Sequence, residues 1–538
     1  MIAGSRASPK GYNRCMSLLA GLVSTSRRVA TATARRAKVR ELAAFLKTLP
    51  PDEIETSVHF LSGEISQGKM GIAYKTLYAA SQTEAAGEAL LSIAETDRSL
   101  AAIAEIRGPK SAARREQSLQ NLFSRATIDE QQFLRHLMVG ELRQGALAGL
   151  MIDAIAAAAA VPVARVRQAA MYSQSLGAVA RVALQEGAEA LSTFQLELFK
   201  PASPMLAQTA ADVAEALTAL EGDAAFEWKM DGARIQAHKA ADRVRIYTRS
   251  LNEVTVAVPE IVDAVRALPA QSLVLDGEAI AFDSSGRPHP FQITMRRFGR
   301  KLNVEALQAE LPIRAFFFDC LLIDGRSIVD RPTRERIAEL AEAVPASMRV
   351  PRLVTSAEPK ARAFYEAAIE AGHEGVMAKS LEAPYEAGNR GASWLKIKRS
   401  HTLDLVVLAA EWGHGRRTGK LSNLHLGALD RAKGEYVMLG KTFKGLTDAM
   451  LEWQSKELLA RETHRDQWTV YVRPELVVEI AFSDLQTSPR YPAGLALRLA
   501  RVKRYRDDKG PKDADTLESV RKIFAAQAGN APPRPPGA

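Results

Sequence analysis

The sequence predicts three domains of different class: an all-α N-terminal domain, an α+β middle domain and an all-β C-terminal domain. Three observations carry that expectation. Up to about residue 195, apolar residues recur at helical spacing and alanine is abundant. From about 210 to 400, β-rich runs alternate with helical ones. Beyond about 402, short strands are separated by Gly-rich turns, the texture of a small barrel. The 538 residues suffice for about three domains. Hydrophobic residues make up 47%, so each domain can bury a core.

Residues 1–15 are polar and Gly/Ser-rich, read as a disordered start without the apolar core of a signal peptide. Met16 opens a more helix-like sequence and is a second candidate start of the protein. The helical domain is placed at 16–200. Val39, Leu42, Ala43 and Leu46 share one helix face, and Ile155 to Ala160 is an alanine run. Pro50-Pro51-Asp52 reads as a helix start. This region contains an echo: Gly63-Glu-Ile-Ser-Gln-Gly68 returns as Gly140-Glu-Leu-Arg-Gln-Gly145. One reading is a pseudo-two-fold domain whose glycine amides, at Gly68 and Gly145, approach phosphates. The plain alternative is a pair of helix C-caps. Basic clusters occur at Arg27-Arg28, Arg35 to Lys38 and Arg114-Arg115, each a solvated face or a phosphate neighbour.

Residues 196–206 form a linker with two prolines. The middle domain is placed at 201–402, with strands at Phe226 to Lys229, Arg243 to Thr248, Leu273 to Asp276 and Ala315 to Asp319. The barrel, of the OB type, is placed at 403–527, with strands at Leu403 to Glu411, Tyr436 to Gly440 and Glu475 to Phe482. Residues 528–538 are Pro-rich and read as disordered.

The formal net charge of +10 favours a polyanionic partner. Two cysteines, Cys15 and Cys320, cannot build a four-cysteine zinc site, and no disulfide scaffold is needed. No apolar run reaches the roughly 20 residues of a membrane span. The expectation is a cytoplasmic monomer without a membrane partner.

The chemistry centres on Glu227-Trp-Lys-Met-Asp-Gly-Ala-Arg234. Lys229 is a nucleophile if its amine is kept neutral, and neighbouring cations or desolvation can lower its pKa. Asp231 can orient the site, Gly232 admits close backbone approach, and Arg234 can grip a phosphate or ribose oxygen. A surface turn between two strands is the plain alternative. Further on, Trp394-Leu-Lys-Ile-Lys398 has period-two alternation. Lys396 and Lys398 then share one strand face, where they can hold triphosphate charge and depress the pKa of Lys229.

The Lys-x-Asp-Gly-x-Arg stretch resembles the nucleotidyl-lysine motif of the covalent nucleotidyltransferases, and later matches along the chain point to the ATP-dependent DNA ligases. Leu275-Asp-Gly-Glu278 resembles their third motif, and Glu374-Gly-Val-Met-Ala-Lys379 their fourth. Arg249 sits where ligases place a phosphate- or ribose-binding arginine. Arg390 lies six residues before Lys396, as a nucleotide-binding arginine does in archaeal-type ligases. Phe318, in Phe316-Phe-Phe-Asp319, takes the place of the residue that stacks on adenine. Residues 496–509 resemble the sixth motif, although Arg498-Leu-Ala-Arg501 stands where relatives carry Arg-Phe-Pro-Arg. The N-terminal region, with Phe60-Leu-Ser-Gly-Glu64, is similar to the DNA-binding domain of archaeal-type and eukaryotic replicative ligases.

The resemblance implies an ATP-grasp-like adenylation (nucleotidyltransferase) domain followed by an OB-fold domain. It implies nicked double-stranded DNA as partner, and sealing through lysyl-AMP and DNA-adenylate in replication, repair and recombination. Lys229 is then the catalytic residue. Glu227, Arg234, Arg249, Glu278, Phe318, Arg390, Lys396 and Lys398 bind the ATP, and Glu278 and Glu374 hold Mg²⁺ through one or two carboxylates plus phosphate oxygens. A GTP-using capping enzyme, an RNA ligase and a silent DNA-end-binding protein are the alternatives at this stage. An NAD-dependent ligase is disfavoured by the missing cysteines. Protein partners, including a sliding clamp, are left open.

Overall fold

Two of the N-terminal helices are opened by side-chain capping boxes. Ser92 opens the helix Ile93–Glu105, and Thr127 opens Ile128–Val139. In each, the hydroxyl accepts from the N3 amide while the N3 glutamate, Glu95 or Glu130, accepts from the cap residue's own amide. Both are reciprocal boxes that satisfy amides which the helix leaves unpaired. The computed structural model describes residues 17–68, 70–142, 148–299, 304–386, 392–399, 401–414 and 417–526. The two ends read as disordered, Met16, Gly145 and Arg390 all lie outside the described residues.

The described residues fall into two compact units, one up to residue 206 together with residue 386, the other from 207 to 526. The first carries ten α-helices, from Leu19–Thr31 to Leu176–Glu186, around one core that includes Leu22, Leu42, Leu46, Phe60, Leu100, Phe123 and Ile155. The helix expected at Pro50-Pro51-Asp52 begins later, at Ile54, because residues 51–53 form a turn first.

The sequence echo has a shared structural role. Helix Ile54–Ser62 ends at Gly63 (φ +77°), with the Gly63 amide donating to the Phe60 carbonyl at 3.1 Å and the Glu64 amide to His59 at 2.9 Å. Helix Ile128–Val139 ends at Gly140 (φ +70°), with the Gly140 amide donating to Leu137 at 3.1 Å and the Glu141 amide to His136 at 2.9 Å. These are two copies of one left-handed cap, which only glycine enters cheaply. A Cβ on Gly63 would stand 3.5 Å from the Leu142 Cβ, so the two caps lie side by side. The second glycine of the first copy, Gly68, is exposed, left-handed (φ +63°) and has open space around it.

The second unit holds two five-stranded sheets and a barrel. One sheet runs in the order Gln208–Thr209, Trp394–Lys398, Gly375–Ser380, Ala224–Lys229, Arg352–Thr355. The other runs Arg243–Thr248, Ala233–Ala240, Ser272–Ala281, Ile313–Ile323, Arg326–Ser327. Helices Val213–Leu220 and Glu358–Glu370 cover the first, and Pro259–Arg266 and Thr333–Ala343 the second. The turn Met230-Asp-Gly232 carries the chain from one sheet to the other, and Met230 packs with Ile280, Val350 and Phe318 at the junction.

The barrel strands are Glu435–Thr442, Leu421–Asp430, His401–Trp412, Thr469–Val472 and Glu462–Arg465, with Val477–Phe482 and Arg501–Tyr505 continuing from His401–Trp412. Two helices that the all-β expectation lacked, Asp448–Ala460 and Leu517–Ala526, pack on it. They bring Leu451, Leu458, Leu517, Val520 and Phe524 into the barrel's own core. The middle and C-terminal segments, read as separate domains, share a unit because contacts such as Gln292 to Gln486 and Arg498 to Asp231 join them. Among the described residues no helix is long and apolar enough to cross a membrane.

Candidate active site

Lys229 is the last residue of its strand, and the register across the sheet builds the site around it. Lys229 lies opposite Gly375, which in turn lies opposite Lys398. Glu374, just before Gly375, donates its amide to the Lys229 carbonyl at 3.0 Å. Its carboxylate is held between two ammonium groups: the Lys229 amine on Oε2, and the Lys398 amine on Oε1 at 2.7 Å. Close packing needs glycine at two points. A Cβ on Gly232 would fall 2.3 Å from the Ala279 carbonyl oxygen, and one on Gly375 (φ +143°) 2.1 Å from that of Ile397.

The electrostatics differ from the expectation of a depressed lysine. Desolvation pulls the Lys229 pKa down, but pairing with Glu374, helped by Glu278 and Asp231, outweighs it, and the net shift is upward. Three carboxylates around one ammonium stabilise its charged form more than burial penalises it. The two lysines hold Glu374 below its ordinary value against its own desolvation. Glu278 goes the other way: desolvation pushes its carboxyl up to about 7, against the pull of Lys229 and Arg234.

That value gives a stability prediction. A carboxyl raised from 4.5 to about 7 is neutral in the fold at a pH where the unfolded chain would ionise it. Ionising Glu278 therefore costs stability as pH rises through about 7, and below about 4.5 the effect vanishes. Glu278→Gln is expected to raise the melting temperature at pH 8 by a few degrees, corresponding to about 1–3 kcal/mol. The gain should disappear at pH 4 while label transfer from ATP is lost. Calorimetry at the two pH values checks it; equal stability at pH 8 contradicts it.

The sheet that carries Lys229 contributes Trp394 to an aromatic cluster. The Phe318 and Trp394 rings meet edge to face, 6.0 Å apart. The Lys379 amine sits 4.5 Å from the first ring centre and 4.1 Å from the second. It is fully buried, and desolvation lowers its pKa although Glu227 opposes this. Glu227, 2% exposed, forms an ion pair with Lys379 at 2.7 Å and accepts from Arg352 at 2.8 Å. Arg352 also donates to the Phe318 carbonyl at 2.9 Å, fixing the ring's backbone. Trp394, Lys396 and Lys398 alternate along their strand, so both lysines project on the face that carries Trp394 while Leu395 and Ile397 enter the core.

The remaining expected residues are placed less uniformly. Arg234 is committed to Asp276 by two bonds, at 3.0 and 2.7 Å, and to the Tyr385 hydroxyl at 3.2 Å. That fork is the geometry of a buried structural pair. Arg249 is exposed beyond its strand and pairs with no other described residue. Arg390 lies outside the described residues. Arg498 reaches Asp231, with Nη1 donating to Oδ2 at 2.9 Å, and its guanidinium stands 5.5 Å from the Phe291 ring centre. Arg506 and Lys509 are tied to Asp404 at the base of the barrel.

Sequence reading assigned no role to Lys379, Arg352, Trp394 or Tyr385. Lys379 and Trp394 lie inside the matched motifs, which was the signal the sequence offered, and both are buried. Arg352 and Tyr385 carry no local signal, because their partners are 125 and 109 residues away.

Residues 204–398 match the family described as ATP dependent DNA ligase domain, residues 417–509 its C-terminal region, and residues 79–156 the DNA ligase N terminus. A probable DNA ligase of Anaeromyxobacter dehalogenans is 58% identical over 511 residues, covering 94% of this chain and 99% of the relative. One of Sorangium cellulosum is 52% identical, covering 96% and 97%. The solved structure titled Pmar-Lig_PreS3 superimposes with a TM-score of 0.60 at 18% identity, over 90% of this chain and 99% of that one, which shows a shared fold.

Proposed function

This chain belongs to the ATP-dependent DNA ligases, and from that premise we propose that Lys229 is the residue that takes AMP from ATP and passes it to a nick. One observation carries the assignment: Lys229, Gly375 and Lys398 form a row across three adjacent strands, Glu374 just before Gly375 pairs with both lysines, and Trp394 on the last strand meets the Phe318 ring. The flat ring faces suit adenine, and buried Glu227 with Lys379 adds a polar wall. Lys396 and Lys398 face the phosphates. The Lys229 amine attacks the α-phosphorus, the P–O bond to pyrophosphate breaks, and the amine proton is lost. AMP is then transferred to the 5′-phosphate of the nick, and the 3′-hydroxyl displaces it to close the chain.

Lys229 must shed a proton that Glu374, Glu278 and Asp231 hold on it. Any cation that takes over Glu374 loosens that hold. Of the three carboxylates around the nucleophile, Glu374 and Glu278 would hold Mg²⁺. No group of three His, Cys, Asp or Glu suited to a metal occurs among the described residues. Two carboxylates suit an ion bound chiefly through phosphate oxygens. When bound it supplies charge neutralisation to the triphosphate. We place the protein in the cytoplasm as a monomer acting on nicked duplex DNA. The helical unit, with its exposed Gly68 and adjoining caps, is the duplex-binding part.

The test is incubation with α-labelled ATP, GTP or NAD, followed by a chase with nicked duplex. Label should enter the protein from ATP alone and leave on the chase. Lys398→Ala and Lys396→Ala should slow the first step by roughly a hundredfold and the sealing of pre-adenylated nicks far less. Lys398→Ala also leaves Glu374 to Lys229 alone, so its adenylation profile should shift to higher pH. The reverse ranking would assign these lysines to the DNA step.

A further inference from the structure

One short segment, residues 349–352, stitches together the two five-stranded sheets, and none of the short motifs read in the sequence includes it. On one side the Val350 amide donates to the Phe317 carbonyl at 3.1 Å. On the other the Trp228 amide donates to the Pro351 carbonyl at 3.2 Å. Arg352 closes the segment, opposite Glu227 in the strand register. Its side chain repeats the stitch. Nε donates to Glu227 Oε1 at 2.8 Å, and Nη2 donates to the Phe318 carbonyl at 2.9 Å. One planar group thus fixes a carboxylate of the first sheet and the backbone of a ring on the second. A lysine, with a single amine on a flexible stem, does not offer that fork.

What Arg352 holds bears on the base. Glu227 and Lys229 stand two residues apart on one strand, so both side chains project from the same face, roughly 7 Å apart along it. Lys379 pairs with Glu227 Oε2 at 2.7 Å and stands 4.5 Å from the Phe318 ring centre. The carboxylate, its two cations and the ring therefore form one assembly, one step along the strand from the nucleophile. A carboxylate paired with two cations carries acceptor sites and no donor. The sites that the cations leave open accept from an exocyclic amine and repel a carbonyl oxygen. A 6-amino purine offers the first, and a 6-oxo purine the second. Lys379 alone grips one oxygen, about which the carboxylate turns. Arg352 on the other oxygen removes that freedom and ties the carboxylate to the same frame as the Phe318 ring.

We propose that Arg352 is a positioning residue for base selectivity: by holding Glu227 and the Phe318 backbone in one frame, it makes the site take a 6-amino purine nucleotide in preference to a 6-oxo one. The inference rests on the adenylation reading above.

The experiment measures label transfer to the full chain from α-labelled ATP and from α-labelled inosine triphosphate, with kcat and KM for each. The wild-type protein should prefer ATP. Arg352→Met should raise the KM for ATP roughly tenfold and cut the preference for ATP by about tenfold or more, with kcat at saturating ATP within about threefold. Arg352→Lys keeps the charge and loses the two-point hold, so its preference should fall as well. Melting temperatures report the fold, and if Arg352→Met does not fold, Arg352→Lys carries the test. Wild-type preference in either variant overturns the proposal; in Arg352→Lys it would leave charge alone as the cause. A fall in kcat with both nucleotides at unchanged preference also overturns it, and makes Arg352 a support of the sheet junction. A wild-type protein that takes label from neither nucleotide overturns the adenylation reading itself, and this role with it.

Discussion

Lys229→Ala is expected to abolish label transfer from ATP, a loss of at least about a thousandfold, while pre-adenylated nicks are still sealed. Two neighbouring amines already have partners. Lys398 is bonded to Glu374, and Lys379 is fully buried between Glu227 and two rings. Lys229→Arg should be equally inactive, because a guanidinium does not deprotonate in proteins. The fold should persist, since Glu374 keeps Lys398 as a partner when Lys229 is removed. Gel detection of labelled protein checks the first step, and sealing of a synthetic adenylated nick checks the last. Retained covalent label in Lys229→Ala would contradict the assignment, and Lys398 would be the first residue to test in its place.

Removal of the helical unit should separate the two half-reactions. Every residue assigned to ATP, from Glu227 to Lys398, lies after residue 206, in the second compact unit. Self-adenylation by residues 207–538 should therefore stay within a fewfold of the intact chain. Nick sealing should fall by about a hundredfold or more at physiological salt. A duplex binder that loses several phosphate contacts loses affinity steeply, and more so as salt rises. Parallel rates at two salt concentrations check this. A truncated protein that sealed nicks at the full rate with the same salt dependence would remove the helical unit from the binding role.

What the sequence made legible followed from periodicity and from short-range spacing. The strand read at Arg243 to Thr248 occurs with those bounds, and the alternation at Trp394 to Lys398 puts two lysines on one face. The Gly-Glu echo was legible as a pattern and ambiguous as chemistry. Its first glycines are matching helix caps, which leaves only Gly68, among the described residues, as a candidate for close phosphate approach. The proton balance of Lys229 was not legible, because it depends on Glu374 and Glu278, which are distant in sequence and brought close by two different sheets. The same holds for the Glu227 cage, where Arg352 and Lys379 arrive from flanking strands. The two barrel helices were missed because strand-rich neighbours dominate their surroundings. Leu451 and Leu458 do carry a helical spacing, opened by a Thr447 cap.

The central claim, that the chain carries AMP on Lys229, is tested most directly by locating the nucleotide on the wild-type protein. Incubation with ATP and Mg²⁺ without DNA, digestion near neutral pH and peptide mass spectrometry would place the modification. The expected result is one AMP on the peptide containing Lys229, lost in acid as a phosphoramidate is, and removed when nicked duplex is added before digestion. AMP on any other residue, or a protein that seals nicks without becoming adenylated, would contradict the account.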